Sequence, residues 1–262
     1  MSIAPANPFE QLAYNIALQI KDGQIVYVGT GLPMVGAILA LKTHAPHVTL
    51  VYESGGQDPL TGPMPWSVGG GATYRRAPLL AEMPQSLAMA AIGYVDIAFQ
   101  GAAQIDMYGN LNTHIIGDDY FKARARLTGS GGGNDLASLP ENVLLVGLQT
   151  PDKFPAKLDF VTSPGHCSGG NSRKETGLLG KGPQAVVTQL GVMDFDPVSK
   201  WMRIKALNPG MTPEIAQACT GFELIVPDEI GHIPNPPDNI LEVLRKEVDP
   251  HQIFIQFPPR IK

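Results

Sequence analysis

Glu53 is the residue whose type and position most suggest chemistry. It directly follows an apolar run at residues 48–52, and Ser54, Gly55 and Gly56 come after it. A carboxylate at the end of a buried strand costs free energy unless it is solvated, paired or used in a reaction. The glycines after it are expected to leave room for a ligand. The alternative is an ordinary strand-end glutamate that caps a helix or pairs with an arginine, and spacing alone leaves both open.

The tripeptide Gly29-Thr30-Gly31 is a second candidate, at the start of a predicted helix. Glycines allow positive φ and close approach of the backbone, so successive N–H groups can face an anion or a developing oxyanion. The pattern is not a dinucleotide fingerprint, because Met34 stands where G-x-G-x-x-G needs its last glycine. A bare glycine turn is the alternative interpretation.

Two further turns are rich in small residues. The first, Gly101-Ala102-Ala103-Gln104, follows a predicted strand and is either part of a site or a tight strand-end turn. The second, residues 128–134 (TGSGGGN), has enough glycine to wrap a ligand or to be mobile. Both remain candidates on sequence alone.

The cysteines and histidines do not predict a metal site. Cys167 and Cys219 lack the spacing of a zinc knuckle or a disulfide framework. The histidines are scattered, without an H-x-x-x-H pair on a helix. Cys167 stands beside His166, but adjacent residues do not usually present their side chains to each other, so a structural or incidental thiol is favoured.

Composition indicates a folded protein that acts on small molecules or proteins. The chain has 262 residues, of which 44% are hydrophobic, enough for a full core. Its formal net charge of -5 argues against a general nucleic-acid binder. Since neither a secretory leader nor an apolar run of membrane-spanning length is evident, we expect a cytoplasmic protein without a membrane segment.

Strand-like and helix-like segments alternate along the chain. Apolar β-branched segments predict strands, and helical periodicity with N-terminal capping signals predicts helices. The strands are expected at residues 24–28, 48–52, 95–99, 143–148, 160–162, 185–189 and 202–207, and the helices at 8–23, 33–42, 213–219 and 238–248. This order predicts an α/β layered sandwich around a largely parallel sheet, in a single domain over residues 1–262. Ligands are expected at the carboxyl ends of the strands.

The four motifs occur in an order that resembles a known family. The GTGLP turn from Gly29, the VYESG segment around Glu53, the GAAQIDMYGN segment from Gly101 and the TGSGG segment from Thr128 are similar to those of class I coenzyme A transferase β subunits. The resemblance continues through residues 161–165 to the EVDP segment at 247–250, and so covers nearly the whole chain. It implies the same α/β sandwich.

The resemblance also implies roles for the candidate residues. Glu53 matches the glutamate that forms a covalent intermediate with the acyl group and then with coenzyme A. Two turns match the family's turns that hold coenzyme A and the oxyanion. They contain Gly29, Thr30, Gly31, Gly101, Ala102 and Gln104. The candidate substrate loop contains Ser54, Gly55, Arg75 and Arg76, where the two arginines are candidates to meet a second carboxylate.

The family further implies an α subunit that completes the active site, a coenzyme A thioester as substrate, and no metal or permanently bound cofactor. The acids exchanged are expected to be dicarboxylic. One alternative is an enzyme of the same scaffold that decarboxylates a CoA-bound acid, or that hydrolyses a C–C bond of a CoA thioester with Glu53 as general base. Another is a scaffold subunit whose partner performs the chemistry.

Overall fold

The computed structural model describes residues 3–60, 64–140 and 142–256. The chain divides into two compact units. Unit 1 contains the residues up to Phe99 together with those from Ile233 onward, and unit 2 contains residues 100–232. The single domain expected over residues 1–262 stays a prediction.

The helices and strands are numbered in chain order. The first part of unit 1 forms α1 (Pro8–Ala17), β1 (Ile25–Val28), α2 (Leu32–Lys42), β2 (Thr49–Tyr52), β3 (Gly56–Gln57), a 3-10 turn (Gly71–Tyr74), β4 (Leu79–Leu80), α3 (Met83–Ala91) and β5 (Ile97–Gly101), whose last two residues belong to unit 2. Unit 2 continues with β6 (Gln104–Ile105), β7 (Leu111–Asn112), β8 (Ile115–Ile116), β9 (Ala125–Arg126), α4 (Gly133–Ser138), β10 (Val143–Val146), α5 (Ser172–Glu175), β11 (Pro183–Val187), β12 (Gly191–Phe195), β13 (Met202–Leu207), α6 (Pro213–Ala218) and β14 (Gly231–His232). Unit 1 resumes with α7 (Asp238–Val243) and a π-helical turn (Leu244–Val248).

The sheet of unit 1 has the strand order β5-β1-β2-β3-β4. β1 pairs in parallel with both β2 and β5, and the two-residue strands β3 and β4 add a short antiparallel edge. Helix α2 is buried along most of its length, as expected for a helix that is apolar on all sides. It packs closely on α1, because a Cβ at Gly36 would lie 2.5 Å from the Ile16 side chain.

The two chain segments of unit 1 are joined by side-chain contacts. The Nε of Arg245 donates to Oε1 of the buried Glu10 at 2.7 Å, and its Nη2 donates to Oε2 at 2.8 Å. The amide Nδ2 of Asn7 donates to the carbonyl oxygen of Ile255 at 2.9 Å. Helix α1 is therefore held by the last described part of the chain.

The strands of unit 2 follow the order β14-β13-β12-β11-β10. The pairs β10–β11 and β13–β14 are parallel, while β12 pairs antiparallel with both of its neighbours. Their inner faces form a core that includes Val143, Val186, Met193, Ile204 and Leu207. Two short hairpins, β6–β7 and β8–β9, lie outside this sheet.

The predicted α/β fold around a largely parallel sheet is confirmed, since the longest strands of unit 1 all pair in parallel. Helix α1 begins with a capping box between Asn7 and Glu10, in agreement with the N-terminal capping signals of the sequence. The strand predicted at 160–162 is wrong, because these residues form no strand and only the next residue, Ser163, makes an isolated bridge, to Leu111. Helix α1 ends at Ala17 rather than near residue 23, since a polar turn follows in which Lys21 N donates to Gln24 Oε1 at 2.7 Å.

Candidate active site

Glu53 lies at the carboxyl end of β2, beside the turn that follows β1. Val28 pairs with Tyr52 in the parallel register, so the next residues along these neighbouring strands are Gly29 and Glu53. Glu53 is half-buried. In open α/β sheets, ligands bind outside the carboxyl ends of the strands. The fold therefore brings together the predicted carboxylate and the first glycine turn.

The glycines after Glu53 are required by packing. Gly55 has φ +105°, and a Cβ there would lie 1.7 Å from the carbonyl oxygen of Ala81. A Cβ at Gly56 would lie 1.9 Å from the carbonyl oxygen of Thr73. Neighbouring backbone fills the Cβ side of both glycines, so their lack of a side chain serves packing, and room for a ligand beside them stays a prediction.

Ser54 is hydrogen-bonded to the loop that contains Val68. Its Oγ donates to the carbonyl oxygen of Val68 at 2.5 Å and lies 3.3 Å from Oγ1 of the buried Thr73. The hydroxyl of Tyr74 donates to the carbonyl oxygen of Ser54 at 3.1 Å. These contacts fix the backbone next to Glu53, and a contact of Ser54 or Gly55 with substrate stays a prediction.

Val68 connects the two turns of the site. Its N–H donates to Oγ1 of Thr30 at 3.2 Å, while its carbonyl accepts the hydrogen bond from Ser54. The chain between Met64 and Gly70, which we call the 64–70 loop, is thus bonded both to the turn after β1 and to the turn after β2. No sequence pattern signals this link, because Val68 acts through its backbone.

The Gly29-Thr30-Gly31 turn leads into the start of α2. A Cβ at Gly29 would lie 3.1 Å from the carbonyl oxygen of Phe99, so the turn packs closely on β5. Gly31 caps α2 with φ +94°, and no atom lies within 4 Å of a Cβ built there among the described residues. An open backbone at the N-terminus of an eleven-residue helix favours negative charge nearby.

Arg75 and Arg76 follow the 3-10 turn and are exposed. Their guanidinium groups form no hydrogen bond or ion pair with the part of the chain that the structure describes. Arg76 has φ +52°, an uncommon conformation for a side chain with a Cβ. The carbonyl oxygen of Arg75 accepts from Leu60 N at 2.9 Å, which holds the segment in place. Both cations are available to solvent or to an anion.

The other predicted site residues, Gly101, Ala102 and Gln104, belong to unit 2. Gly101 is exposed and Ala102 is half-buried. Gln104 is buried, and its Oε1 accepts from Asn112 Nδ2 at 2.7 Å and from Asp159 N at 3.1 Å. Its Nε2 donates to Asp159 Oδ2 at 3.1 Å. The Gln104 side chain thus holds loops of unit 2, and its contact with coenzyme A stays a prediction.

Gln100 is a residue of β5 that sequence reasoning passed over. Its Nε2 donates to the carbonyl oxygen of Gly133 in the glycine-rich segment. Its Oε1 is buried and has no hydrogen-bond partner among residues 3–60, 64–140 and 142–256. The sequence signal that could have identified Gln100 is the one that identified Glu53: a polar residue at the end of a buried strand.

His166 and Cys167 do not form a catalytic pair. The Nε2 of the buried His166 lies 2.8 Å from the carbonyl oxygen of Pro183. Burial, together with the charges of Lys200 and Arg173, lowers the pKa of His166 to about 4. The Sγ of Cys167 lies 4.0 Å from Oγ1 of Thr176. This geometry agrees with a structural or incidental thiol.

No cluster of three or more His, Cys, Asp or Glu side chains that could hold a metal ion occurs within the described ranges. Within the same ranges, no helix has both the length and the apolar character needed to cross a membrane.

Comparison with known proteins assigns the family. The profile described as "Coenzyme A transferase" matches residues 9–216. The chain belongs to the coenzyme A transferase family. This family member is 38% identical to one subunit of the glutaconate CoA-transferase of Acidaminococcus fermentans, over 97% of this chain and 96% of that protein. It is 37% identical to one subunit of the 3-oxoadipate CoA-transferase of Pseudomonas knackmussii, over 90% and 91% of the two chains.

The fold of this coenzyme A transferase family member agrees with that assignment. The crystal structure of glutaconate coenzyme A-transferase from Acidaminococcus fermentans matches with a TM-score of 0.89 and 37% identity, covering 96% of this chain and 98% of that chain. The predicted resemblance to coenzyme A transferase β subunits, and with it the prediction of an enzyme of this class, is confirmed.

Bond-cleaving relatives are more distant. The cholesterol ring-cleaving hydrolase IpdB subunit of Rhodococcus jostii is 27% identical, over 85% of this chain and 83% of that protein. The crystal structure of the decarboxylase AibA/AibB shares the fold with a TM-score of 0.79 and 23% identity, over 94% of this chain and 95% of that chain. The comparisons thus favour transfer over the hydrolase or decarboxylase alternative.

Proposed function

We propose that this chain is the β-type subunit of a coenzyme A transferase that moves coenzyme A between carboxylic acids through a glutamyl-CoA thioester on Glu53. The observation that carries the proposal is the position of Glu53 at the carboxyl end of β2, next to Gly29 on the parallel neighbour. An α-type subunit completes the enzyme, as suggested by the names of the two transferase relatives, each of which is one subunit of its enzyme.

The chemistry is a balanced series of acyl transfers. The Glu53 carboxylate attacks the thioester carbonyl of the donor acyl-CoA, giving a mixed anhydride and the coenzyme A thiolate. The thiolate attacks the glutamyl carbonyl, so the donor acid leaves as a carboxylate and Glu53 becomes a thioester. The acceptor carboxylate then attacks this thioester, and the released thiolate attacks the acceptor carbonyl of the new anhydride. The products are the acceptor's CoA thioester and free Glu53.

Each addition places negative charge on a carbonyl oxygen, which needs donors already aimed at it. The Gly29-Thr30-Gly31 turn at the start of α2 suits this role, because its backbone is open at Gly31 and the helix dipole favours an anion. We assign the same role, together with coenzyme A binding, to the backbone around Gly101, Ala102 and Gln104. The substrates are coenzyme A thioesters, and the reaction needs no permanently bound cofactor or metal.

The acid exchanged is proposed to be dicarboxylic. Both transferase relatives act by name on dicarboxylic acids, glutaconate and 3-oxoadipate. Arg75 and Arg76 are exposed cations in the same unit as Glu53, and a guanidinium binds a carboxylate through two parallel hydrogen bonds. They are the proposed contacts of the carboxylate that does not react. The cytoplasmic location stays a prediction.

The test uses the chain purified together with its α-type partner. After addition of glutaryl-CoA without an acceptor, hydroxylamine should convert the Glu53 side chain to a hydroxamate that peptide mass spectrometry locates. Glu53→Gln should abolish this modification and lower the exchange rate on the order of a thousandfold or more. Glu242→Gln, at an exposed residue that pairs with Lys246, is the matched control and should retain both the modification and the exchange rate.

Three results would contradict the proposal. An enzyme that exchanges coenzyme A without any modification at Glu53 excludes the covalent route. Release of a shortened or decarboxylated acid in the absence of an acceptor would instead support the bond-cleaving alternative. An active Glu53→Gln complex would support the scaffold-subunit alternative.

A further inference from the structure

A cavity of about 450 Å³ lies within unit 2, between the segment around α5 and the strands β11 and β12. Its lining includes His166, Arg173, Lys174, Lys181, Phe195 and Lys200. No aspartate or glutamate of the described chain lines it. We call it the basic cavity, because its lining holds four basic residues although the whole chain carries a net charge of -5. Its volume suits a small-molecule ligand.

The charge of Arg173 is buried without a carboxylate to balance it. Arg173 is 6% exposed, and its Nη1 and Nη2 donate at 2.8 Å to the carbonyl oxygens of Gly165 and Ala137. Its Nε donates to the carbonyl oxygen of Gly180 at 3.2 Å. Carbonyl groups satisfy these donors, but no ion pair neutralises the guanidinium within the ranges that the structure describes. An anion in the cavity would offset the cost of burying this charge.

The positive charges near the cavity also affect the pKa of His166. Burial is the main reason why the pKa of His166 is lowered to about 4, and repulsion from Lys200 and Arg173 adds to the effect. His166 is therefore neutral near pH 7, so it adds no charge of its own. The lining also contains the apolar residues Leu178, Pro183 and Phe195. The cavity thus combines cations with apolar side chains.

We infer that the basic cavity binds a phosphate-bearing small molecule, whose phosphate is attracted by Arg173, Lys174 and Lys200. A phosphate ester carries between one and two negative charges near pH 7, which suits several cations better than a single carboxylate would. The organic part of the ligand lies against the apolar residues of the lining. Two sources share this chemistry: a free nucleotide, and the phosphorylated nucleotide end of coenzyme A. The inference does not depend on the reaction at Glu53.

The experiment measures binding to the full-length chain by calorimetry at low ionic strength. The probes are inorganic phosphate, ADP, adenosine 3′,5′-bisphosphate, coenzyme A and dephospho-coenzyme A. The double variant Lys174→Gln/Lys200→Gln removes two charges of the lining and leaves the Arg173 hydrogen bonds intact. Lys205→Gln, at an exposed position of β13, is the matched control. Circular dichroism and thermal melting check that both variants keep the fold.

We expect at least one phosphate probe to bind, with affinity about tenfold lower in the double variant, unchanged in Lys205→Gln and reduced by added salt. Loss of affinity on removal of the 3′-phosphate, with coenzyme A displacing ADP, identifies coenzyme A as the source. Binding of ADP in the presence of saturating coenzyme A identifies a free nucleotide. The inference is overturned if none of the probes binds, or if the double variant binds as tightly as the unmodified chain.

Discussion

The hydroxyl of Ser54 donates a hydrogen bond of 2.5 Å to the carbonyl oxygen of Val68. Because Val68 N–H donates in turn to Thr30 Oγ1, one residue of the 64–70 loop holds both turns of the candidate active site. The turn that carries the proposed nucleophile and the turn beside it are therefore both held through the backbone of Val68. Loss of either bond is expected to alter catalysis more than stability.

Ser54→Ala removes the hydrogen bond to Val68 while keeping the backbone that carries Glu53. We expect kcat for coenzyme A exchange to fall about tenfold, since small displacements of a reacting group lower the rate strongly. The free energy of unfolding should fall by only about 1 kcal/mol. Steady-state kinetics and urea unfolding of the same preparation measure the two effects.

Thr30→Val tests the second bond to Val68 in a side chain of nearly the same shape. Because both bonds act through Val68, the loss of kcat in the double variant should be smaller than the product of the two single losses. Thr30→Ser retains a hydroxyl and should restore the rate. Independent, multiplicative effects would show that the 64–70 loop does not couple the two turns.

Gly55→Ala should prevent the turn after β2 from forming. The added Cβ would meet the carbonyl oxygen of Ala81 at 1.7 Å, and φ +105° is unfavourable for any residue with a side chain. We expect a loss of at least about 3 kcal/mol in the free energy of unfolding, or no soluble protein. Gly71→Ala is the control, since nothing lies within 4 Å of its Cβ position among the described atoms. Equal melting temperatures for the two variants would contradict the packing argument.

His166 should make stability depend on pH. Its folded pKa of about 4 lies below the ordinary value of 6.5, so in the range between these values the unfolded chain binds a proton that the folded chain does not. Stability is therefore lost as the pH falls through this range, by about 2 kcal/mol between pH 7 and pH 5. Urea unfolding at several pH values should show this slope, and His166→Gln should flatten it. An unchanged slope in His166→Gln would assign the dependence to other groups.

Arg173→Lys should strongly destabilise the fold, although the substitution keeps the positive charge. A lysine cannot reach the separate carbonyl groups of Gly165, Ala137 and Gly180, so buried acceptors lose their donors. We expect the free energy of unfolding to fall by about 3 kcal/mol. The same change at Arg203, which pairs with Asp194 nearer the surface, should cost no more than about 1 kcal/mol in chemical unfolding. Comparable losses at both positions would argue against the special role of Arg173.

Local sequence signals predicted the elements that position Glu53. The β-branched segment of β1, the apolar run of β2 and the glycines between β1 and α2 each specify backbone conformation through neighbouring residues. The parallel pairing of these strands follows from the helix between them. The position of Glu53 beside Gly29 could thus be anticipated from the sequence.

Contacts between distant residues could not be predicted in the same way. The bonds of Val68 involve its backbone, which every residue type shares, and the partners of Arg173 are carbonyl oxygens spread over residues 137–180. The packing around Gly55 could not be predicted for a similar reason, because the atom that excludes a side chain belongs to Ala81. Such contacts depend on the tertiary fold, and no pattern along the chain predicts them.

Unit 1 is interrupted in sequence by all of unit 2, and α1 is bonded to Arg245 and Ile255 near the other end of the chain. During synthesis, unit 2 has all of its residues before unit 1 does, because chains emerge from the N-terminus onward. The nascent chain therefore holds Glu53 in an incomplete unit until Arg245 and Ile255 have been added. A ribosome that stalls after His232 would hold a chain that has every residue of unit 2 but lacks the last segment of the unit that contains its proposed nucleophile.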